Sequence, residues 1–212
     1  VKGVFKGLPT VIGGIEASLR RLAHYDYWAD QVRRSILIDS KADLLLYGMA
    51  ETALCELAVR LNGGEEINTI LDLRGSAVIT REVAQDSIQL PSFEEVAEDC
   101  SAYNRAFKLA SEQQNPLSSK SLSQAHAKRH ILINPPALPL SEVQLDRIYA
   151  LPFTRLPHPE YNGKIPAYEQ IKFSVTSHRG CFGGCAFCAI THHQGKTIQS
   201  RSEASILAEI ER

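Results

Sequence analysis

The stretch Gly180-Cys181-Phe182-Gly183-Gly184-Cys185-Ala186-Phe187-Cys188 carries three thiols on one short loop, in the spacing C-x3-C-x2-C. Three thiolates from one loop can converge on a single metal centre, but a closed structural zinc site takes four ligands. One reading is therefore an iron–sulfur cluster held at three irons, with the fourth iron open to chemistry. A second is a zinc site closed by His192 or His193, which follow Cys188 by four and five residues. A third is a set of inert thiols. Phe187 and the glycines favour the cluster without excluding zinc. A disulfide framework is a poor fit, because the other two of the five cysteines, Cys55 and Cys100, stand alone.

Working outward, Ile171-Lys-Phe-Ser-Val-Thr176 alternates as a strand does and is expected to deliver the cysteine loop from its C-terminal end, where ligands of barrel folds bind. Ser202 is placed to N-cap a closing helix. Upstream, Pro9–Ile12 reads as a short buried strand ending at Gly13-Gly14, with a helix over Ala17–Ala23. Its Arg20-Arg21 pair reads as a solvated face rather than a phosphate clamp. Asp43-Leu-Leu-Leu-Tyr47 is apolar enough for a strand buried on both sides. Gly48 turns it into a helix over Glu51–Leu61, and Asn62-Gly63-Gly64 stops that helix.

Short strands are expected near Ile70–Leu71 and Ala77–Ile79, then a helix from the N-cap Ser92, with Glu95 three residues on, to about Gln113. Cys55 and Cys100 read as small core residues on helices. Residues 115–126 are serine-rich and linker-like. Ile131–Asn134 reads as a strand stopped by Pro135-Pro136, followed by a proline-dense connection with a helix over Ser141–Tyr149.

Alternation of strand and helix around apolar strands predicts an α/β fold with a Rossmann-like parallel sheet. The expected organisation is residues 1–114 as this domain, 115–170 as linker and proline-rich connection, and 171–212 as the start of a second domain carrying the cysteine loop. The 23 basic and 24 acidic residues leave a net charge of −1, which gives no footprint for nucleic acid. No apolar run of membrane-spanning length and no signal-peptide core occurs, so a cytoplasmic location is expected, where thiols stay reduced.

The cysteine stretch, C-x3-C-x-aromatic-C, resembles the signature of radical S-adenosylmethionine (SAM) enzymes. The longer run Phe173 to Gly195, with Ile198 to Glu203, is similar to the YgiQ family of bacterial radical SAM proteins. So are Val11-Ile-Gly-Gly-Ile-Glu-Ala-Ser-Leu-Arg-Arg21, His24-Tyr-Asp-Tyr-Trp28, Lys41-Ala-Asp43 and Gly48-Met-Ala-Glu51. The resemblance spans nearly the whole chain.

It implies that Cys181, Cys185 and Cys188 each ligate one iron of a [4Fe-4S] cluster, that SAM binds the fourth iron, and that Phe187 contacts the SAM adenine. It implies a 5′-deoxyadenosyl radical as the reactive product of SAM cleavage and a flavodoxin- or ferredoxin-type electron donor. No partner role falls to nucleic acid or membrane. Gly180, Gly183 and Gly184 would let the backbone curl around the cluster. His178, His192 and His193 read as polar loop histidines. Arg179 and Arg201 face two readings, a carboxylate or cluster partner on one side and solvated loop charge on the other.

The sheet domain also resembles the cobalamin-binding-like domain that precedes many radical SAM barrels. The D-x-H-x-x-G motif of cobalamin binders is absent, so a scaffold role is expected and cobalamin is not. The chain starts at Val1, and Arg212 falls inside the first helix after the loop. It is therefore expected to be an internal piece of a larger protein, with the rest of a partial (β/α) barrel as its missing partner. By itself the piece is expected to be inactive. A zinc-stabilised binding module is the main alternative function. A ferredoxin-like carrier comes third, since it needs four protein ligands per cluster.

Overall fold

A computed structural model describes residues 2–211. In chain order the first part runs β1 (Val11–Ile12), α1 (Gly14–Leu19), β2 (His24–Asp26), β3 (Gln31–Arg33), α2 (Ile36–Ser40), β4 (Leu44–Leu46) and α3 (Glu51–Asn62). After a 3-10 turn at Ile67–Thr69 come β5 (Ser76–Thr80), β6 (Ile88–Leu90), α4 (Phe93–Glu98), α5 (Cys100–Glu112), β7 (Leu122–His126) and β8 (Arg129–Ile133). The remainder carries α6 (Glu142–Tyr149), α7 (Pro166–Ile171), β9 (His178–Arg179), α8 (Ile190–Gln194), β10 (Gln199–Ser200) and α9 (Glu203–Ile210). No helix of the described residues is long and apolar enough to cross a membrane.

The chain divides into two compact units, and the division does not follow the sequence order. Residues 2–138 take Cys181–Lys196 into the first unit, while Pro139–Gly180 and 197–211 form the second. The cysteine loop and α8 thus belong with the large sheet.

That sheet has the order β1-β4-β5-β8-β7-β6. Three consecutive leucines decide its centre. Leu44, Leu45 and Leu46 point alternately to opposite faces, yet all are buried, so both faces must be covered. Leu45 packs on one side with Leu37 of α2, Tyr47 and Ile131. Leu44 and Leu46 pack on the other with Leu57 of α3, Ile70 and Leu73. Each such fully buried side chain contributes about 1.5–3 kcal/mol relative to exposure.

The α/β class is as expected, with parallel pairing at the two ends of the sheet, β1 with β4 and β6 with β7. The inner pairs β4–β5, β5–β8 and β7–β8 are antiparallel. Helix-bearing crossovers produce the two parallel pairs. The β7–β8 pair is a tight hairpin with His126 opposite Arg129 and Ala127 at φ 55°, and a two-residue turn can only reverse the chain.

Other elements depart from the sequence reading in ways with local causes. The serine-rich stretch read as linker carries β7, whose Ser123 and Gln124 are buried in the sheet. The helix after Ser92 has the expected capping box but breaks at Asp99. That carboxylate accepts from the Ser101 and Ala102 backbone amides and so caps a second helix, α5. Helix α1 stops at Leu19, short of Ala23. Ile70 is buried, but it follows a 3-10 turn and is not in a strand. Cys55 and Cys100 lie on the outer faces of α3 and α5 and are exposed, not core.

The expected strand over Ile171–Thr176 is not formed. Pro166 at the first helical position starts α7, which runs through Ile171. The extended pairing comes later and is brief, with Arg179 opposite Gln199 and His178 opposite Ser200.

In the second unit the polar anchor is Arg201, which is buried. Its Nη1 donates to the Thr176 carbonyl at 2.9 Å and to the Glu209 carboxylate, and its Nη2 donates to the Ser205 carbonyl at 2.8 Å. The guanidinium carbon lies 4.2 Å from the centre of the Tyr149 ring. Ser202 caps α9, as expected, accepting from Ser205 N.

Candidate metal centre

The cysteine loop is closed by backbone hydrogen bonds at both ends. At its start the Cys181 N–H donates to the Gly195 carbonyl at 3.1 Å, beyond the end of α8. At its finish, Cys188 N–H donates back to the Cys185 carbonyl at 3.0 Å, and α8 follows two residues later. Thr191 of α8 is buried and directs its hydroxyl toward the Cys181 carbonyl at 3.4 Å.

Helix α8 is held against the sheet domain by its two histidines. His192 packs its ring on Phe107 with centroids 5.5 Å apart, and its Nδ1 lies 2.7 Å from Gln114 Nε2. His193 Nδ1 lies 2.9 Å from Ser18 Oγ, which also accepts the Gly48 N–H at 3.0 Å. Gly48 has φ 71°, and a Cβ there would stand 3.2 Å from the His193 carbonyl oxygen. Burial followed by the nearby charges of Arg21 and Lys196 lowers the His192 pKa, which keeps that imidazole neutral. These two histidines, expected to be plain polar loop residues, dock the loop. The paired imidazoles just past the last cysteine were the available signal, but nothing local names Gln114 or Ser18 as partners.

Within the loop, Cys185 is exposed and Cys181 and Cys188 are half-buried. Among the described residues, no three His, Cys, Asp or Glu side chains are gathered around one point as a metal would require. The loop nonetheless has features that suit a sulfur-bound group. Gly183 sits between two of the thiols, so that a Cβ there would lie 3.4 Å from Cys181 Sγ and 3.7 Å from Cys185 Sγ. The Gly183 N–H points at Cys181 Sγ from 3.4 Å, the type of hydrogen bond that tunes cluster sulfurs. Gly184 has φ 62°, which favours glycine. The donor set is three soft thiols, which fits an iron–sulfur cluster. Phe187 stands beside them, 92 % exposed. Of the two arginines singled out in the sequence, Arg201 meets a carboxylate, Glu209, and Arg179 Nε meets the Tyr149 hydroxyl at 3.1 Å.

Residues 1–174 match the family model described as Radical SAM N-terminal. A UPF0313 protein of Geobacter sulfurreducens is 59 % identical over the whole of this chain, which covers 36 % of that protein. A UPF0313 protein of Methanocella arvoryzae is 52 % identical over 99 % of this chain, which covers 35 % of it. The chain thus spans about a third of the length of these curated relatives. Among solved structures, the radical S-adenosylmethionine methyltransferase TsrM from Kitasatospora setae, with cobalamin and a [4Fe-4S] cluster bound, aligns with 97 % of this chain and 28 % of its own at 15 % identity and a TM-score of 0.45. With the family model matching most of its length, and with UPF0313 relatives as the YgiQ resemblance implies, the chain belongs to the radical SAM N-terminal family.

Proposed function

We propose that Cys181, Cys185 and Cys188 hold a [4Fe-4S] cluster through three of its irons, and that the protein to which this chain belongs is a radical SAM enzyme. The carrying observation is Gly183, whose missing side chain leaves the space between Cys181 Sγ and Cys185 Sγ open. Family membership and the three-thiol donor set support the same reading. When bound, such a cluster supplies the electron that cleaves the SAM sulfonium to methionine and a 5′-deoxyadenosyl radical.

The chain's own residues then have distinct tasks. The three thiols ligate as thiolates, and Gly183 N–H donates to one of them. The half-exposed loop leaves room on the open side for SAM, and the exposed Phe187 ring is the surface offered to its adenine. His192 and His193 keep the loop seated on the sheet domain. The remaining barrel strands and a flavodoxin- or ferredoxin-type reductant complete the proposed enzyme, and a reducing cytoplasm suits its thiols.

Anaerobic reconstitution with iron and sulfide tests the reading. About four irons and four sulfides per chain, lost on replacing any one of the three cysteines by alanine and kept on replacing Cys55 or Cys100, are expected. Stoichiometric zinc without sulfide overturns it in favour of a zinc-stabilised module. In protein extending through the full length of its relatives, the reduced cluster is expected to convert SAM to 5′-deoxyadenosine.

A further inference from the structure

A cavity of about 170 Å³ lies in the first unit, away from the cysteines, between the chain following α1, the face of α5 and His192 of α8. Its walls are mainly apolar, with Leu22, Val96, Phe107 and Ala110 among them, and among the described residues no Asp or Glu lines it. Into this setting the chain places Arg21. Its Nη1 donates to the Ser18 carbonyl and its guanidinium stacks 4.6 Å from the centre of the Tyr47 ring. Its Nε is shut off from solvent without a hydrogen-bond partner, and Nη2 has none among the described residues. Those two N–H groups form one edge of the guanidinium, the side-on fork that fits both oxygens of a carboxylate.

Arg21 is half-buried, and an N–H shut off from water without an acceptor, as its Nε is, is costly because the lost hydration is not replaced. Burial accordingly pushes the Arg21 guanidinium below its ordinary pKa, with only the Tyr47 phenol acting the other way. His24, also in the wall, has Nδ1 3.2 Å from the Leu22 carbonyl, so Nδ1 carries the proton, and its Nε2 is buried without a partner. A proton on Nε2 would make it a second donor to an anion.

We propose that this cavity is a binding site for a small carboxylate with an apolar or single-ring body, held by the Nε/Nη2 edge of Arg21. The size fits, since a cavity of roughly 150 Å³ lined by apolar side chains takes up benzene. The apolar part of the walls favours an anion with an apolar body over inorganic phosphate, which buries no apolar surface there. The site does not depend on the cluster. Because His192 forms part of the wall, the occupant touches the helix that follows the cysteine loop.

Calorimetric titration of the purified protein with sodium benzoate, benzamide and inorganic phosphate tests the site. Benzoate is expected to bind saturably with one site per chain, and benzamide and phosphate at least about tenfold more weakly. Arg21→Lys, which keeps the charge and loses the fork, is expected to weaken benzoate by about tenfold or more. Ala110→Phe, which fills the cavity from its half-buried rim, is expected to do the same, with thermal melts and circular dichroism confirming the fold; it carries the test if Arg21→Lys does not fold. The proposal is overturned if benzoate gives no saturable binding, if benzamide or phosphate binds as well, or if the filled variant binds benzoate like the parent.

Discussion

The imidazole of His193 reaches back 175 positions to the hydroxyl of Ser18, 2.9 Å away and fully buried beneath the sheet's first crossover. Ser18 has one proton and two lone pairs, and one lone pair accepts the Gly48 N–H. Its proton is therefore available to His193 Nδ1. One hydroxyl thus ties α1, the turn after β4 and α8 together, and through α8 it helps fix where the cysteine loop sits on the sheet domain.

Ser18→Ala is expected to destabilise the first unit by about 1–3 kcal/mol, because it removes two part-buried hydrogen bonds, the one with His193 Nδ1 and the one from the Gly48 N–H. Urea unfolding measures the loss. Amide hydrogen exchange should show residues 190–194 opening more readily than strands β5 and β8. Unchanged protection in α8 would mean that the hydroxyl does not hold the loop.

The turn at Gly48 allows a sharper comparison. Gly48 and Gly64 both have positive φ, 71° and 87°, but only Gly48 would bring a Cβ to 3.2 Å from another backbone atom, the His193 carbonyl oxygen. Gly64→Ala is expected to cost about 1 kcal/mol from backbone strain alone. Gly48→Ala should cost clearly more, since the carbonyl must move and draws α8 with it. Equal midpoints in urea for the two variants would count against the close approach.

How much of this was readable in advance follows the range of the forces involved. Local chemistry was legible: the Ser92–Glu95 capping box, the Ser202 cap, the apolar run before Gly48 and the α3 stop at Gly63-Gly64 all involve neighbours in sequence. The cysteine triplet announced its donor set in the same way. What failed needed a distant partner. Strand β7 reads as linker because Ser123 and Gln124 are polar. Gln124 is buried with its amide satisfied by the Ala23 N–H and the Pro91 carbonyl, 101 and 33 residues away. Arg201 could not be assigned from its neighbours alone, since Thr176 and Tyr149 reach it from earlier segments.

In the cysteine loop, Gly183→Ala separates the sulfur site from the fold. A Cβ at 3.4–3.7 Å from two thiols is in ordinary contact, so the metal-free protein should melt within about 0.5 kcal/mol of the parent. The same methyl occupies space the proposed cluster needs, and reconstituted iron and sulfide should fall by at least half. Full iron uptake by this variant would remove the observation on which the cluster assignment rests.

Arg201 and Glu209 form a buried ion pair in the second unit, with side-chain exposures of 1 % and 5 %. Burial alone would raise the Glu209 pKa, but hydrogen bonds from Arg201 and Arg155 outweigh it and leave the carboxyl below its ordinary value. Its stabilising contribution is present above the unfolded pKa and is lost as pH falls through the lower folded value. Glu209→Gln is expected to cost about 3–5 kcal/mol locally, because Arg201 is then left buried without a counter-charge. Hydrogen exchange of α9 and α6 reads this directly, and a change below about 1 kcal/mol would show the pair to be replaceable by water.

His126 predicts a pH dependence of the opposite chemical type. It lies at the end of β7, 3 % exposed, stacked on Phe93 with ring centroids 5.6 Å apart, and among the described residues neither ring nitrogen has a hydrogen-bond partner. Burial is the main cause that pushes its pKa down to about 4. Glu94 and Asp39 pull it upward, while Arg34 and Arg129 push it further down. In the unfolded chain the imidazole titrates near its ordinary value of 6.5. Between those two values the unfolded chain holds the proton and the folded chain does not, so stability falls with pH over that window and levels off below about 4. The loss from this residue between pH 7.5 and pH 5 is about 2 kcal/mol. His24 and His192 are also held below the ordinary histidine value by burial and add to the same slope. The difference between parent and His126→Leu isolates the titration: an apolar side chain of similar size still packs against Phe93 and cannot take up a proton. Urea midpoints at pH 7.5 and 5 should show the parent losing about 2 kcal/mol more than His126→Leu. Parallel losses in the two proteins would show that His126 takes up its proton without unfolding.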